Sequence, residues 1–287
     1  MWTVGLDILM DALFDTLYLF PFLYLTYLLM EFWEHKMGRQ SMIYIRKAKR
    51  YGPIAGGLLG LIPQCGFSVA AANLYATGLI TLGTLMAVFL STSDEMLPLL
   101  ISGGIGMGII IQIIGLKAIF GIAAGVLIDN FLPNKFIPRK NEPNIMEFCK
   151  REKCKCEDKE NIWHSAFKHT EKISLVIFFF SLVVNIAFTF GGQETINDAL
   201  SISPLLSKFM AALFGLIPSC YPSVLLTQLY LAKTISIGTL MAGTLSNAGL
   251  GFLVLYRVNS DSQANLKILG LLYVLGVFFG IIADLLL

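Results

Sequence analysis

Long apolar runs, cut by brief polar interruptions, organise this chain. The runs 17–32, 79–103, 105–128, 173–190 and 266–287 hold few charged residues. They match or approach the roughly 20 residues that carry a helix across a bilayer. The pattern predicts helices over about 12–35, 80–101, 103–131, 166–190, 235–256 and 266–287. Other interruptions fall inside apolar segments. Ile-Pro-x-Cys occupies 62–65 and 217–220, placing Pro63 and Pro218 mid-segment. A proline inside a helix removes a backbone hydrogen bond and clashes with the preceding turn. Each segment therefore splits into two short pieces, either a re-entrant hairpin or two thin crossings. A second interruption follows Gly-Thr-Leu-Met-Ala in two places. It reads Ser91-Thr-Ser-Asp94-Glu95 in one and Ser246-Asn247-Ala-Gly249 in the other. Ser, Thr, Asp and Asn start helices well, so a fresh helix is expected after each. Broken backbone at membrane depth is tolerated where it is buried in protein or lines a cavity.

The two sets of interruptions are copies of one unit. GLIPQCGFSV at 60–69 returns as GLIPSCYPSV at 215–224, and GTLMAVFLS at 83–91 as GTLMAGTLS at 238–246. The offset is 155 throughout, and 17 of the 32 pairs from Gly60/Gly215 to Ser91/Ser246 are identical. The register persists to Gly121/Gly276, Gly125/Gly280 and Asp129/Asp284. With a one-residue gap it reaches upstream, pairing Ala12 with Ala166, Thr16 with Thr170 and Glu31 with Asn185. Counting each piece gives about ten segments, five per half. The expected organisation is a first transmembrane repeat over 1–132, a Cys- and Lys-rich linker over 133–165, and a second repeat over 166–287. The fold class is all-α and polytopic, with broken helices where the repeats meet. Paired repeats of this kind characterise transporters whose site lies at the repeat interface.

Composition agrees with this reading. The chain is 56% hydrophobic and 14% charged, with mean hydropathy +0.72; soluble domains carry about a quarter charged residues. The first apolar run lacks a basic leader and a cleavage site, so it reads as a retained helix, not a signal peptide. Of the 21 Lys and Arg, six lie in 36–50 and ten in 133–172. Cytoplasmic loops concentrate such residues, so both stretches are expected inside. The equivalent of the 36–50 loop is Gly-Gly-Gln-Glu-Thr-Ile-Asn-Asp at 191–198, with no Lys or Arg until Lys208. It is expected outside. Equivalent loops on opposite faces mean inverted repeats, an odd number of crossings per half, and termini outside. These flanking helices make topology a better reading of the basic runs than nucleic acid.

Candidate chemistry concentrates at the interruptions. Asp94 and Glu95 are ionisable groups in a membrane segment, where such residues are costly and usually functional. Their equivalents are Gly249 and Leu250, so one asymmetric site is expected. The plainer alternative is a helix cap at Asp94 with Glu95 at a wet end. Ser91, Ser246, Asn73, Gln228 and Asn247 offer oxygens to a cation, or ordinary hydrogen bonds between helices. Cys65 and Cys220 would suit a soft ion, but a buried cysteine is also common packing. Met86 and Met241 read as packing. Asp129 and Asp284 read as capping or snorkelling acids. Lys117 and Lys233 are lone cations in apolar surroundings, open between an anion partner and an interface. In the linker, Cys149, Cys154, Cys156, His164 and His169 are metal-ligand types without zinc-finger spacing; cytoplasmic cysteines stay reduced. The linker is either a loose metal-handling site or an incidental one. No phosphate-binding loop and no paired-histidine metal motif is present, and no cofactor is expected.

The doubled Gly-Leu-Ile-Pro-x-Cys…Gly-Thr-Leu-Met-Ala pattern, with Ser-Thr-Ser-Asp-Glu in the first copy, resembles the bacterial ten-helix heavy-metal exporter family. Members are labelled arsenic efflux proteins or manganese transporters, and the family is distantly similar to the ArsP organoarsenical permeases. The resemblance covers nearly the whole chain. It implies a secondary metal-ion exporter of the bacterial inner membrane, with Pro63/Cys65, Pro218/Cys220 and Asp94/Glu95 matching the family pattern. Manganese would favour the oxygens of Asp94, Glu95, Asn73 and Asn247. Trivalent arsenicals would favour Cys65 and Cys220. The leading expectation is proton-coupled export of a divalent cation such as manganese by alternating access. The partners are then the lipid bilayer and the metal ion or small solute, without nucleic acid; a homodimer is compatible. The rivals are export of an organoarsenical or other small solute, an intramembrane enzyme on a lipid-like substrate, and a passive channel. No nucleophile–base constellation supports an enzyme.

Overall fold

The capping residues and prolines of the sequence set the helix starts. A computed structural model describes residues 51–62, 66–76, 78–93, 96–131, 203–259 and 261–287, with isolated helical residues between Met10 and Leu28 and between Trp163 and Ile186. The first half contains α1 (Gly52–Gly60), α2 (Gly66–Ala76), α3 (Leu82–Ser91), α4 (Met96–Ser102) and α5 (Met107–Phe131). The second contains α6 (Pro204–Gly215), α7 (Tyr221–Leu231), α8 (Ile237–Ser246), α9 (Gly249–Val258) and α10 (Ser262–Leu286). Pro53 opens α1, Pro204 opens α6 and Pro222 opens α7, the positions where proline's missing N–H costs nothing. Thr81 caps α3 by accepting from the Thr84 amide at 3.1 Å, and Ser236 caps α8 from Thr239 at 3.2 Å.

The sequence register of 155 reappears as a structural register. α2, α3 and α5 begin and end at positions equivalent to α7, α8 and α10. Gly78 and Lys233, equivalent residues, both take left-handed backbone (φ 76° and 58°) just past α2 and α7. In each copy the same pair of amide bonds closes the helix end: Gly78 to Tyr75 and Leu79 to Leu74, Lys233 to Tyr230 and Thr234 to Leu229. Such a closure favours glycine, and the second copy holds it with a lysine. Lys233 is thus an exposed helix-end residue.

Both expected interruptions are present. α6 stops at Gly215 and α7 starts at Tyr221, with Pro218 between. α1 and α2 flank the corresponding gap; Pro63 and Cys65 lie outside the described residues. With 9 and 11 residues, α1 and α2 are each about half a bilayer long. α1 packs on α3 and α5 of its own half, whereas α2 lies along α9 of the other half. The equivalent exchange pairs α7 with α4, and α3 also meets α8.

Four stretches are long and apolar enough to cross a membrane: Leu82–Ser102, Met107–Phe131, Ile237–Val258 and Ser262–Leu286. Two of them are the broken pairs α3–α4 and α8–α9. These are mostly buried, while α5 and α10 turn more than half of their apolar length outward. The protein is therefore an all-α multi-pass membrane protein whose broken spans are central. α10 begins at Ser262, earlier than expected. The Asp261 carboxylate caps it, accepting from Gln263 and Ala264 at 3.1 and 3.0 Å, so the polar turn 262–265 is helical as well.

The matched glycines and acids make one joint, used twice. Close packing on small residues is how membrane helices approach. A Cβ at Gly83 would meet the Gly125 carbonyl and Asp129; one at Gly238 would meet the Gly280 carbonyl and Asp284. The Asp129 carboxylate then accepts from the Gly83 amide (2.8 Å) and the Thr81 hydroxyl (2.6 Å). Asp284 accepts from Gly238 (2.5 Å) and Ser236 (3.1 Å). Each acid sits near the end of α5 or α10 and caps the start of α3 or α8, where the helix dipole favours a negative charge. Asp284 also pairs with Lys208 at 2.5 Å; the first half has Pro53 in that place.

The two long upstream segments touch through aromatic rings. Phe20 meets Phe167 at 5.7 Å between ring centres, and Tyr24 meets Trp163 at 6.5 Å and Phe167 at 6.2 Å. Contacts ascend one segment while descending the other, so the two run antiparallel where they touch.

Candidate functional site

The broken spans converge on a lysine. Lys117 stands mid-way along α5 and is 1% exposed. Its Nζ donates to the Thr92 carbonyl at 2.6 Å and to the Thr244 carbonyl at 3.4 Å. Thr92 follows the last residue of α3 and Thr244 lies in the last turn of α8. The final carbonyls of a helix have no partner within it and carry the negative end of the dipole. One ammonium thus bridges the C-terminal ends of a broken helix from each half. The 2.6 Å contact has the length of a charge-assisted bond. The position equivalent to Lys117 is Leu272, fully buried.

Next to it, Asn247 ties the second break together. Its Nδ2 donates to Ser223 Oγ (2.6 Å) and to the Ser219 carbonyl (3.3 Å). Its Oδ1 accepts the Gly249 amide at 2.8 Å, at the start of α9. Gly249 is left-handed (φ 53°), a turn that glycine makes without strain. The side chain joins α7, α8 and α9 with its amide engaged on both sides. The hydroxyl of Ser219, a buried residue, makes no hydrogen bond. Buried polar atoms are nearly always satisfied, so this oxygen has capacity for one further hydrogen-bond or ligand contact.

The remaining expected ligands distribute unevenly. Asn73 is 1% exposed, while its equivalent Gln228 is exposed, so the matched pair does not share an environment. Ser91 Oγ donates to the Ala87 carbonyl (2.7 Å), and Ser246 Oγ to the Ala242 carbonyl (2.9 Å). Both pack against glycines, Ser91 against Gly60 and Gly121, Ser246 against Gly276. Their protons are spent within their own helices. Cys220 is half-buried directly before α7. Asp94, Glu95, Cys65, Cys149, Cys154, Cys156, His164 and His169 lie outside the described residues. The chain itself puts Asp94 two residues from Thr92. Among the described residues no three His, Cys, Asp or Glu side chains gather as a metal site.

The role of Lys117 and the presence of Ser219 escape the sequence reading. Both carried a signal. Lys117 faces a leucine across the repeat, the same kind of mismatch that singles out Asp94 and Glu95. Ser219 sits between Pro218 and Cys220, inside the interruption.

A family model, ArsP_2, described as "Putative, 10TM heavy-metal exporter", matches residues 6–193. No curated protein and no solved structure is detectably similar. The matched stretch contains nearly all of the first half, including α1 to α5 and Lys117. The chain belongs to the ArsP_2 family of ten-transmembrane heavy-metal exporters.

Proposed function

We propose that the protein is a secondary transporter that exports a divalent metal cation, with manganese-like preference for oxygen, through the junction of its two broken spans. The observation that carries this reading is the Lys117 ammonium on the Thr92 and Thr244 carbonyls. Helix ends from both halves already hold a positive charge there. Asn247, three residues beyond Thr244 in the chain, holds the carbonyl of Ser219, whose hydroxyl has no partner; Asp94 and Glu95 follow Thr92 closely in the sequence. Oxygen donors of this kind suit Mg, Ca and Mn. Asp94 and Glu95 bind the metal and take up a proton when it leaves, which couples export to proton entry.

Inverted repeats suit this mechanism. Their support is the opposite charge of the equivalent loops 36–50 and 191–198 and the antiparallel contact of the equivalent upstream segments. Rocking one half against the other would open the junction to each side in turn. Cells expressing Asp94→Asn with Glu95→Gln should lose the metal tolerance that the parent protein confers, and inside-out vesicles should lose proton-driven Mn²⁺ uptake. Full tolerance in the double variant would remove the assignment.

The half-buried thiol of Cys220, next to the unpartnered Ser219 hydroxyl, favours a second reading, export of an arsenical. Under it, Cys65→Ser and Cys220→Ser abolish arsenical resistance while the acidic pair matters little.

A further inference from the structure

We propose that the Lys117 ammonium is a tethered cation, seated between α3 and α8 in the substrate's place and displaced when the transported dication binds. The inference rests on the metal-export reading and assigns a regulator to that site.

Three observations support it. The ammonium takes one carbonyl from each half, so it occupies the contact that alternating access must break and remake. It is buried, and a buried charge is stable only when paired and hydrogen-bonded. Two helix C-termini contribute to that stabilisation, and the same two would contribute it to a metal.

The other repeat holds the equivalent place without a charge. At the equivalent position Leu272 is fully buried, and the second break is held by Asn247 through its bonds to Ser223, Ser219 and Gly249. One break is thus closed by neutral hydrogen bonds. The end of the first broken helix is joined to that of the second by a charge on a flexible four-carbon stem. The small residues beside the junction, Gly121 against Ser91 and Gly276 against Ser246, keep α5 and α10 close to α3 and α8 while the lysine moves.

Coulomb repulsion makes the two cations exclusive. A dication within a few ångströms of an ammonium is strongly disfavoured in a low-dielectric site. Metal binding therefore expels the lysine, and metal release brings it back. The returning ammonium restores a positive charge to the two helix ends of the empty carrier, so the carrier resets without a bound metal.

The test measures Mn²⁺ binding and flux with full-length protein in liposomes. Lys117→Met keeps the length and removes the charge. It should bind Mn²⁺ about tenfold more tightly or better, keep Mn²⁺/Mn²⁺ exchange, and lose net export. Unchanged or weaker binding in folded Lys117→Met would overturn the proposal. If that variant does not fold, the wild-type protein decides. An amine-reactive ester should label Lys117 several-fold faster with Mn²⁺ than without it. Lys208, pinned by Asp284, serves as the unresponsive reference. Labelling of Lys117 that ignores Mn²⁺ would also overturn the proposal. Absence of Mn²⁺ binding to the wild-type protein would overturn the metal-export reading itself, and this inference with it.

Discussion

Ser219 and Asn247 are joined by a hydrogen bond, yet their side chains answer different questions. The Ser219 hydroxyl is buried and bonds to nothing, so Ser219→Ala removes an unmet desolvation cost. Its melting temperature should equal or exceed the parent's, while Mn²⁺ affinity falls. A melting temperature that falls together with affinity would make Ser219 a structural residue. Asn247→Ala should do the reverse. It strands the Gly249 amide and the Ser223 hydroxyl, at about 1–3 kcal/mol for each buried group left unmet. Thermal unfolding in detergent should show a loss of several degrees, with Asn247→Asp keeping acceptors for the Gly249 amide and the Ser223 hydroxyl but losing the donation to the Ser219 carbonyl. At this scale the sequence revealed the type of each residue and, through repeat mismatches, where asymmetry lies. It could not reveal bond direction. Ser91 and Ser246 looked like ligands, but a helical hydroxyl within reach of the carbonyl four residues back bonds there first, as both do.

Helices here are fixed to one another by their ends. Asp129 and Asp284 were legible as a matched pair because the register reaches them. That each caps a different helix became visible only in three dimensions, since 46 residues separate acid and amide. Asp129→Ala should cost about 1–2 kcal/mol, the loss of a cap and a side-chain bond. Asp284→Ala should cost more, about 2–3 kcal/mol, because Lys208 is left buried without its carboxylate; partial exposure of Asp284 holds the figure below that of a fully buried pair. Adding Lys208→Met to Asp284→Ala should recover part of the loss. Equal melting temperatures for the two single variants would mean that the ion pair contributes nothing. The starts of α3 and α8 fall within two residues of those expected near 80 and 235, at the Thr81 and Ser236 caps, whereas α10 begins earlier than expected because Asp261 caps it. The breaks were legible for a stronger reason. Proline inside an apolar run removes a backbone bond and clashes with the preceding turn, and clustered Ser, Thr, Asp and Asn favour a fresh helix start, so both mark breaks.

At the scale of the whole molecule, the halves exchange helices across the junction, α2 onto α9 and α7 onto α4. An exchange that maps onto itself when the halves are swapped is the signature of a two-fold relation. If its axis lies in the membrane plane, equivalent loops face opposite sides. The charge pattern favours that case: 36–50 carries six Lys and Arg, and 191–198 carries none. A parallel duplication would put both loops on one face and leave the basic residues unexplained by the bias toward cytoplasmic Lys and Arg. Arg46→Cys and Gln193→Cys, each placed in a cysteine-free background, separate the two. In intact cells a membrane-impermeant maleimide should label the cysteine at position 193 and not the one at 46, and permeabilisation should expose both. Labelling of both or neither in intact cells would make the repeats parallel. The two-fold axis would then run along the membrane normal, and a junction fed alternately from each side would lose its structural basis.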